Sequence, residues 1–300
     1  MLVSEVLDRT YSEWLNPAGI NRPAYDVLSG AITSGALSIT VDGRLGADGI
    51  PDDAIIEIDS ELIALSSVAG AVLTVRETDG RGYLHTTAAS HADNSVVFVN
   101  PKFPRKNLFD ALQSVITTLY PKGLYVRTVD SSLTYQTTNV LDLPAGTLDV
   151  MAIVVRAPGS NEQYTDVLME GRDYRILWEF VPPKIRFIRG GYPNQTAHIS
   201  IKKDFTLPTA ETNELDTLNV PTTLQPYLPM AVAGWLLQGR EIPRVQIEEI
   251  KRMLQAQGIQ VGAALNVGQV LLRNFYNEAV GNERRRLLER DPTRFALRRA

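Results

Sequence analysis

The stretch Ile55-Ile56-Glu57-Ile58-Asp59-Ser60-Glu61-Leu62-Ile63-Ala64-Leu65 decides how this chain is read. It holds two runs dense in aliphatic residues, joined by a very short link, the pattern of consecutive strands. Working outward, Leu37 to Val41 alternates with period two and Asp42-Gly43 turns it, Ala69-Gly70 leads into Ala71 to Arg76, and Ser95 to Val99 closes the block. Short strands at this spacing predict a small barrel or sandwich over residues 36–103. The acidic residues Glu57, Asp59 and Glu61 would share one face of a strand, and the expectation is that this face is solvated.

Helical periodicity flanks the block. Val3, Val6, Leu7, Tyr11 and Trp14 predict a short amphipathic helix that Asn16-Pro17 ends, followed by a loop-like arm with Pro23, Gly30 and Gly35. Leu108, Leu112, Val115, Ile116 and Leu119 form one apolar stripe within Pro104 to Tyr120, which Pro121 and Gly123 end. A second β block follows, with strands expected at Tyr125–Val129, Leu148–Arg156, Tyr174–Glu179, Lys184–Ile188 and Ala197–Lys202, and a hairpin turn at Gly190-Gly191. Asp204 to Pro221 reads as a connector. The remainder reads as helices: Pro229–Gln238 capped by Gly239, Pro243–Gln257, and one long helix over Ala263–Arg290. The fold class expected is therefore α+β, with β-rich modules, an N-terminal helix, a central helix and a C-terminal helical bundle. The segments are an N-terminal helix and arm (1–35), a small β module (36–103), a central helix (104–123), a second β module (124–205), and a C-terminal helical domain with a basic tail (206–300). The regular strand–helix alternation of a doubly wound sheet is missing, so nucleotide-binding α/β folds are not expected.

Composition narrows the chemistry. Hydrophobic residues are 44% and charged residues 21% of the chain, a globular balance that argues against disorder. The absence of cysteine excludes disulfides, thiolate metal sites and cysteine nucleophiles. Glu5, Asp8, Arg9 and Glu13 interrupt the first residues, so no signal peptide is expected, and no run approaches the length of a membrane span. Residues 240–300 hold twelve Lys/Arg against seven Asp/Glu, a local +5 that leaves −9 for the rest. An acidic body with a basic tail is not the footprint of a whole-protein nucleic-acid binder; it points to a tail that docks on an acidic surface or touches a phosphate backbone.

Motifs for catalysis are thin. His85 and His91 stand six apart, whereas a helical zinc pair needs three or four; the expectation is a turn in which Thr, Ser and His side chains satisfy local backbone groups. No Gly-x-Ser-x-Gly elbow exists, and Asp79-Gly80-Arg81-Gly82 lacks the Lys-Ser/Thr and helix of a phosphate-binding loop. A glycosidase would need paired carboxyls, for which Asp52, Asp53, Glu57, Asp59 and Glu61 are the densest acidic cluster, with one acid in an apolar pocket that raises its pKa. A glycan-binding adhesin would need an exposed aromatic platform, for which Tyr174 and Trp178, four apart, and Phe180 are the candidates. The densest cationic cluster is Arg284, Arg285, Arg286, Arg290, Arg294, Arg298 and Arg299. It exceeds what a helix dipole requires, and arginine favours bidentate pairing with carboxylate or phosphate.

Three segments together resemble virion proteins of tailed bacteriophages. The strands of residues 56–63 and 73–75, followed by Arg81-Gly82-Tyr83-Leu84-His85-Thr86-Thr87-Ala88-Ala89-Ser90-His91 and an apolar strand, resemble a small β module of siphophage tail and connector proteins. Ser4 to Leu15 followed by Asn16-Pro17 is the second segment. Ala231 to Leu237, with Gln238-Gly239-Arg240-Glu241-Ile242-Pro243-Arg244 and a long helix with a basic end, is similar to the helical part of head-to-tail connector proteins. The resemblance implies a non-enzymatic adaptor that forms a ring of about a dozen copies by head-to-tail contacts. It also implies a portal protein above, a tail or stopper protein below, and genomic DNA in the channel, with the arginine cluster docking on the portal or contacting DNA. It implies no cofactor, no metal and no membrane, and a place at the head–tail interface of a virion assembled in the host cytoplasm. Two other readings stay open: a tail, baseplate or head-surface protein, and a glycan-binding or cell-wall-degrading virion protein.

Overall fold

A computed structural model describes residues 1–16, 23–46, 49–135, 140–156, 165–188, 195–238, 252 and 267–290. The chain is α+β and divides into two compact units. Unit 1 combines 1–116 with 208–285, and unit 2 combines 117–207 with 286–300. These units are drawn differently from the five sequence segments, because the first β block shares its unit with helices from both ends of the chain.

The centre of unit 1 is a six-stranded antiparallel sheet. Its strands are β1 (Ala24–Val27), β2 (Ser38–Thr40), β3 (Ile55–Ile58), β4 (Glu61–Ala69), β5 (Val72–Val75) and β6 (Val96–Val99), in the order β1-β6-β3-β4-β5-β2. A bridge between Leu28 and Val41 joins the two outer strands, helped by Ser29 N–H donating to Thr40 O and Asp42 N–H to Val27 O. Joined at this one point, the outer strands curl the sheet into a small half-barrel. The interior is filled by Ile39, Ile56, Ile58, Ile63, Leu65, Leu73, Val75, Val97 and Val99, contributed by alternate positions of the strands. Strand β4 reaches both neighbours because a bulge between Leu65 and Ser67 bends it.

Strand β1 lies in the stretch expected to be loop. Ala-Tyr-Asp-Val carries no apolar alternation; Tyr25 is half exposed while Asp26 is buried, its carboxylate accepting from Val27 and Leu45 N–H. Pairing with β6, not local pattern, makes it a strand. The expected solvated acidic face is also corrected. The chain reverses at Asp59-Ser60, with Asp59 in the left-handed region at φ 55°, so Glu57 and Glu61 lie on different, paired strands. Both are buried.

Helices complete unit 1. Helix α1 (Val3–Arg9) continues as a π-helical turn, Thr10–Leu15, where Thr10 Oγ1 donates back to Val6 O at 2.7 Å. Helix α2 (Arg105–Thr117) buries Leu108, Ala111, Leu112, Val115 and Ile116, the expected stripe. Helix α3 (Leu228–Leu237) is apolar all round and buried on nearly every side. The expected long helix is present over its described part, as α4 (Val267–Asn274), a π-helical stretch (Phe275–Val280) and α5 (Gly281–Arg290), of which unit 1 takes the residues up to 285. Helices α3 and α4 pack closely at Gly234 and Gly268: a Cβ at Gly268 would lie 2.6 Å from both Gln238 N and Gly234 O. The expected connector after residue 204 ties down the first residues, since Val3 N–H donates to Asn213 O and Ser4 N–H to Glu211 O. The expected Gly239 cap and Gly190-Gly191 turn lie outside the described residues, as does the expected Pro243–Gln257 helix except for Arg252, which is helical.

Unit 2 holds two antiparallel sheets around one core. The first has order β10 (Thr165–Leu168), β9 (Asp149–Arg156), β13 (Thr196–Lys203), β7 (Val126–Thr134). The second has order β11 (Tyr174–Leu177), β12 (Lys184–Phe187), β8 (Val140–Asp142). Ile153, Val155, Ile199 and Ile201 of the first meet Ile176, Ile185 and Phe187 of the second, and Tyr135 stacks on Phe187 with ring centroids 4.3 Å apart. Strands β8 and β10 were not expected. Each is short and defined mainly by its pairing.

Candidate functional site

Two polar constellations stand out in unit 1. The first closes one end of the barrel. The register Ile58↔Glu61 and Ile56↔Ile63 puts Glu61 on the interior-facing side, so its carboxylate sits at the mouth of the core. Oε1 accepts from Arg81 Nε at 2.8 Å and Gly82 N at 3.0 Å, and Oε2 from Arg81 Nη2 at 2.9 Å and Ala89 N at 3.0 Å. His91 Nε2 lies 2.8 Å from Oε2, and its Nδ1 lies 2.7 Å from Asp59 Oδ2. A neutral imidazole can donate to only one of these carboxylates; the imidazolium donates to both. Arg81 also gives hydrogen bonds to the carbonyls of Thr33, Ala36 and Ala89, so one guanidinium holds three chain segments.

Five residues of the stretch from Arg81 to His91 have a place in this clasp: Arg81, Gly82, Thr86, Ala89 and His91. Gly82 adopts φ +63°, and a Cβ there would lie 2.8 Å from Thr86 O. Thr86 Oγ1 accepts from Leu62 N and donates to Tyr83 O. The expected turn with local backbone satisfaction therefore holds for Thr86 but not for His91, whose ring instead bridges two carboxylates; His85 is exposed. Burial by itself would raise the Glu61 carboxyl, but the donors of Arg81, Ala89, His91 and Gly82 bring it down from the ordinary 4.5 to about 2. Glu61 is thus a fixed anion, the opposite of what a general acid needs.

The second constellation is a cleft of about 530 Å³ outside the barrel. Cross-strand pairs Tyr25↔Phe98 and Phe98↔Glu57 lay a row over the outer face, and the first turn of α2 covers its Glu57 end. Glu57 accepts the Arg105 N–H, so a strand carboxylate caps the start of α2 from a distance in sequence. The Arg105 guanidinium turns away to Asp8 Oδ1 at 2.7 Å and Glu211 Oε2 at 2.6 Å. Leu7, Val96, Phe103 and Leu108 supply apolar wall, and Asp8 and Asp59 stand on the rim. Burial pushes the Glu57 carboxyl up to about 7, against the pull of the Arg105 N–H and guanidinium, with nearby Glu211 adding to the rise. The sequence placed Glu57 on a solvated acidic face because it alternates with isoleucines on a strand, and only α2, far along the chain, buries it.

The sequence-predicted site residues fall elsewhere. Arg284, Arg285, Arg286 and Arg290 are exposed on α5, whose opposite side buries Val280 before it, Glu283 and Leu287. Thr223 Oγ1 donates to Glu283 at 2.7 Å, and Arg285 donates to Asn282. Arg294, Arg298 and Arg299 lie outside the described residues. The aromatic platform is not formed as expected: Tyr174 is core, whereas β11 ends at Leu177, so Trp178 and Phe180 project from the turn beyond it and are exposed. Among the described residues no His, Cys, Asp and Glu group could hold a metal ion, and no helix is long and apolar enough to cross a membrane. No known family model and no curated protein sequence matches this chain.

Proposed function

We propose that the chain is a structural protein of a tailed-bacteriophage particle, a ring-forming adaptor between portal and tail that performs no catalysis. The clasp carries this reading. Of the stretch Arg81–His91 through which the chain resembles a siphophage β module, Arg81, Gly82, Thr86, Ala89 and His91 are spent on holding the end of the sheet. A motif used for holding a fold marks a scaffold, and a scaffold works through its surface. That surface includes large apolar side chains: Val167 and Met169 at β10, and Trp178, Phe180 and the fully exposed Val181 beyond β11. In the adaptor reading such positions meet the portal, a downstream tail or stopper protein, or a neighbouring copy, and the acidic body faces DNA without binding it.

The test is copy number per purified virion, by quantitative mass spectrometry against the portal protein. Near-equal copies support a ring stacked on the portal. A large excess moves the protein to the head shell or tail tube, a marked deficit moves it to the tail tip, and absence from the particle overturns the structural reading.

One observation favours a second reading, a cell-wall hydrolase. Glu57 is a buried carboxyl raised to about 7 beside other carboxylates in a cleft, as a general acid would be. The adaptor reading is preferred because Glu57 is already committed to the start of α2 and Asp59 to His91. Release of sugar from peptidoglycan by the wild type, lost in Glu57→Gln, would reverse that preference.

A further inference from the structure

We propose that the cleft under the first turn of α2 receives residues 293–299 of a second copy of the chain; the contact rests on the ring reading and specifies how neighbouring copies join. The volume of about 530 Å³ lies in the range of sites that bury most of a bound group. Its floor is apolar, and Tyr25 and Phe98 remain partly exposed beside it among the described residues. Its rim is acidic: the Asp8 and Asp59 side chains are 65% and 64% exposed. The lining cation, Arg105, already bonds Asp8 and Glu211, so carboxylates are in excess. The occupant that fits is a segment carrying both large apolar side chains and guanidinium groups.

Thr293-Arg294-Phe295-Ala296-Leu297-Arg298-Arg299 has that composition. Bound in extended form, it would turn Phe295 and Leu297 to one side and Arg294 and Arg298 to the other. The apolar side meets the floor while the arginines reach the carboxylates of the rim, where a planar guanidinium pairs in bidentate fashion. Groove and segment are different surfaces of the same chain. Their contact is therefore head-to-tail and repeats from copy to copy until rotation closes it into a ring.

Sedimentation velocity of the full chain tests this with reversed charges. One variant is Asp8→Lys with Asp59→Lys; the other is Arg294→Glu with Arg298→Glu and Arg299→Glu. Wild-type protein is expected to self-associate, and each variant alone to do so at least about tenfold more weakly. An equimolar mixture of the two, or the chain with all five changes, restores association, because each reversed segment then meets a reversed cleft. The Arg variant keeps the test decisive if the Asp variant, which touches His91, loses its fold. Variants that associate like the wild type overturn this contact while leaving the ring reading standing. Wild-type protein that remains a monomer at all concentrations overturns both. A mixture that stays dissociated also refutes the pairing.

Discussion

Replacing Arg81 with methionine removes the guanidinium but keeps most of the stem. The Glu61 carboxylate, its side chain only 1% exposed, then loses both bonds to Arg81 and keeps Gly82, Ala89 and His91. The carbonyls of Thr33, Ala36 and Ala89 lose their guanidinium donor as well. Two estimates agree in size. Breaking a buried ion pair from one side costs about 3–5 kcal/mol. Independently, the fall of the Glu61 carboxyl from 4.5 to about 2 corresponds to about 3 kcal/mol in favour of the anion, net of the burial that opposes it. The carboxyl is depressed in the fold, so this contribution is complete above pH 4.5, declines as the pH falls, and is gone below about 2. The assay is denaturant unfolding followed by circular dichroism for wild type, Arg81→Met, Glu61→Gln and the double variant, at neutral pH and near pH 3. Arg81→Met is expected to cost about 3–5 kcal/mol at neutral pH, with the double variant costing at least about 2 kcal/mol less than the sum of the singles. The Glu61 part of the loss should shrink at the lower pH. A loss under about 1 kcal/mol, or strictly additive singles, would refute the clasp as the element that holds the barrel's end.

Other perturbations probe the rest of unit 1. Glu57 is raised in the fold, so the folded chain keeps its proton up to about 7 while the unfolded chain loses it near 4.5. Stability should therefore decline as pH rises between those values, and Glu57→Gln should be near neutral at low pH but stabilising by up to about 3 kcal/mol above pH 7. Unfolding curves with the same pH slope for both proteins would contradict this. Gly268→Ala brings a methyl group against the backbone of α3, 2.6 Å from Gly234 O, and should cost at least about 1–3 kcal/mol by denaturant unfolding. A silent alanine there would mean that α3 and α4 are not in close contact.

The sequence alone determined the parts of the fold that rest on local pattern. Aliphatic runs at residues 55–65 and 72–75 became strands, and the stripe from Leu108 to Ile116 became a buried helical face. The Arg81–His91 motif was also visible, but its meaning was not. Glu61, the anion it encloses, lies 20 residues before Arg81, and only the return of the chain after β5 alongside β4 brings them together. Strand β1 escaped notice because one of its two buried residues is an aspartate and one of its two exposed ones a tyrosine, the reverse of the usual pattern. The acidic run 57–61 was misplaced for a related reason: a reversal at Asp59-Ser60 sends one glutamate into the mouth of the barrel and leaves the other for α2 to cover. Periodicity reports which side of an element is apolar. Which polar groups can be buried depends on donors from distant segments, and only the tertiary structure brings those donors within reach.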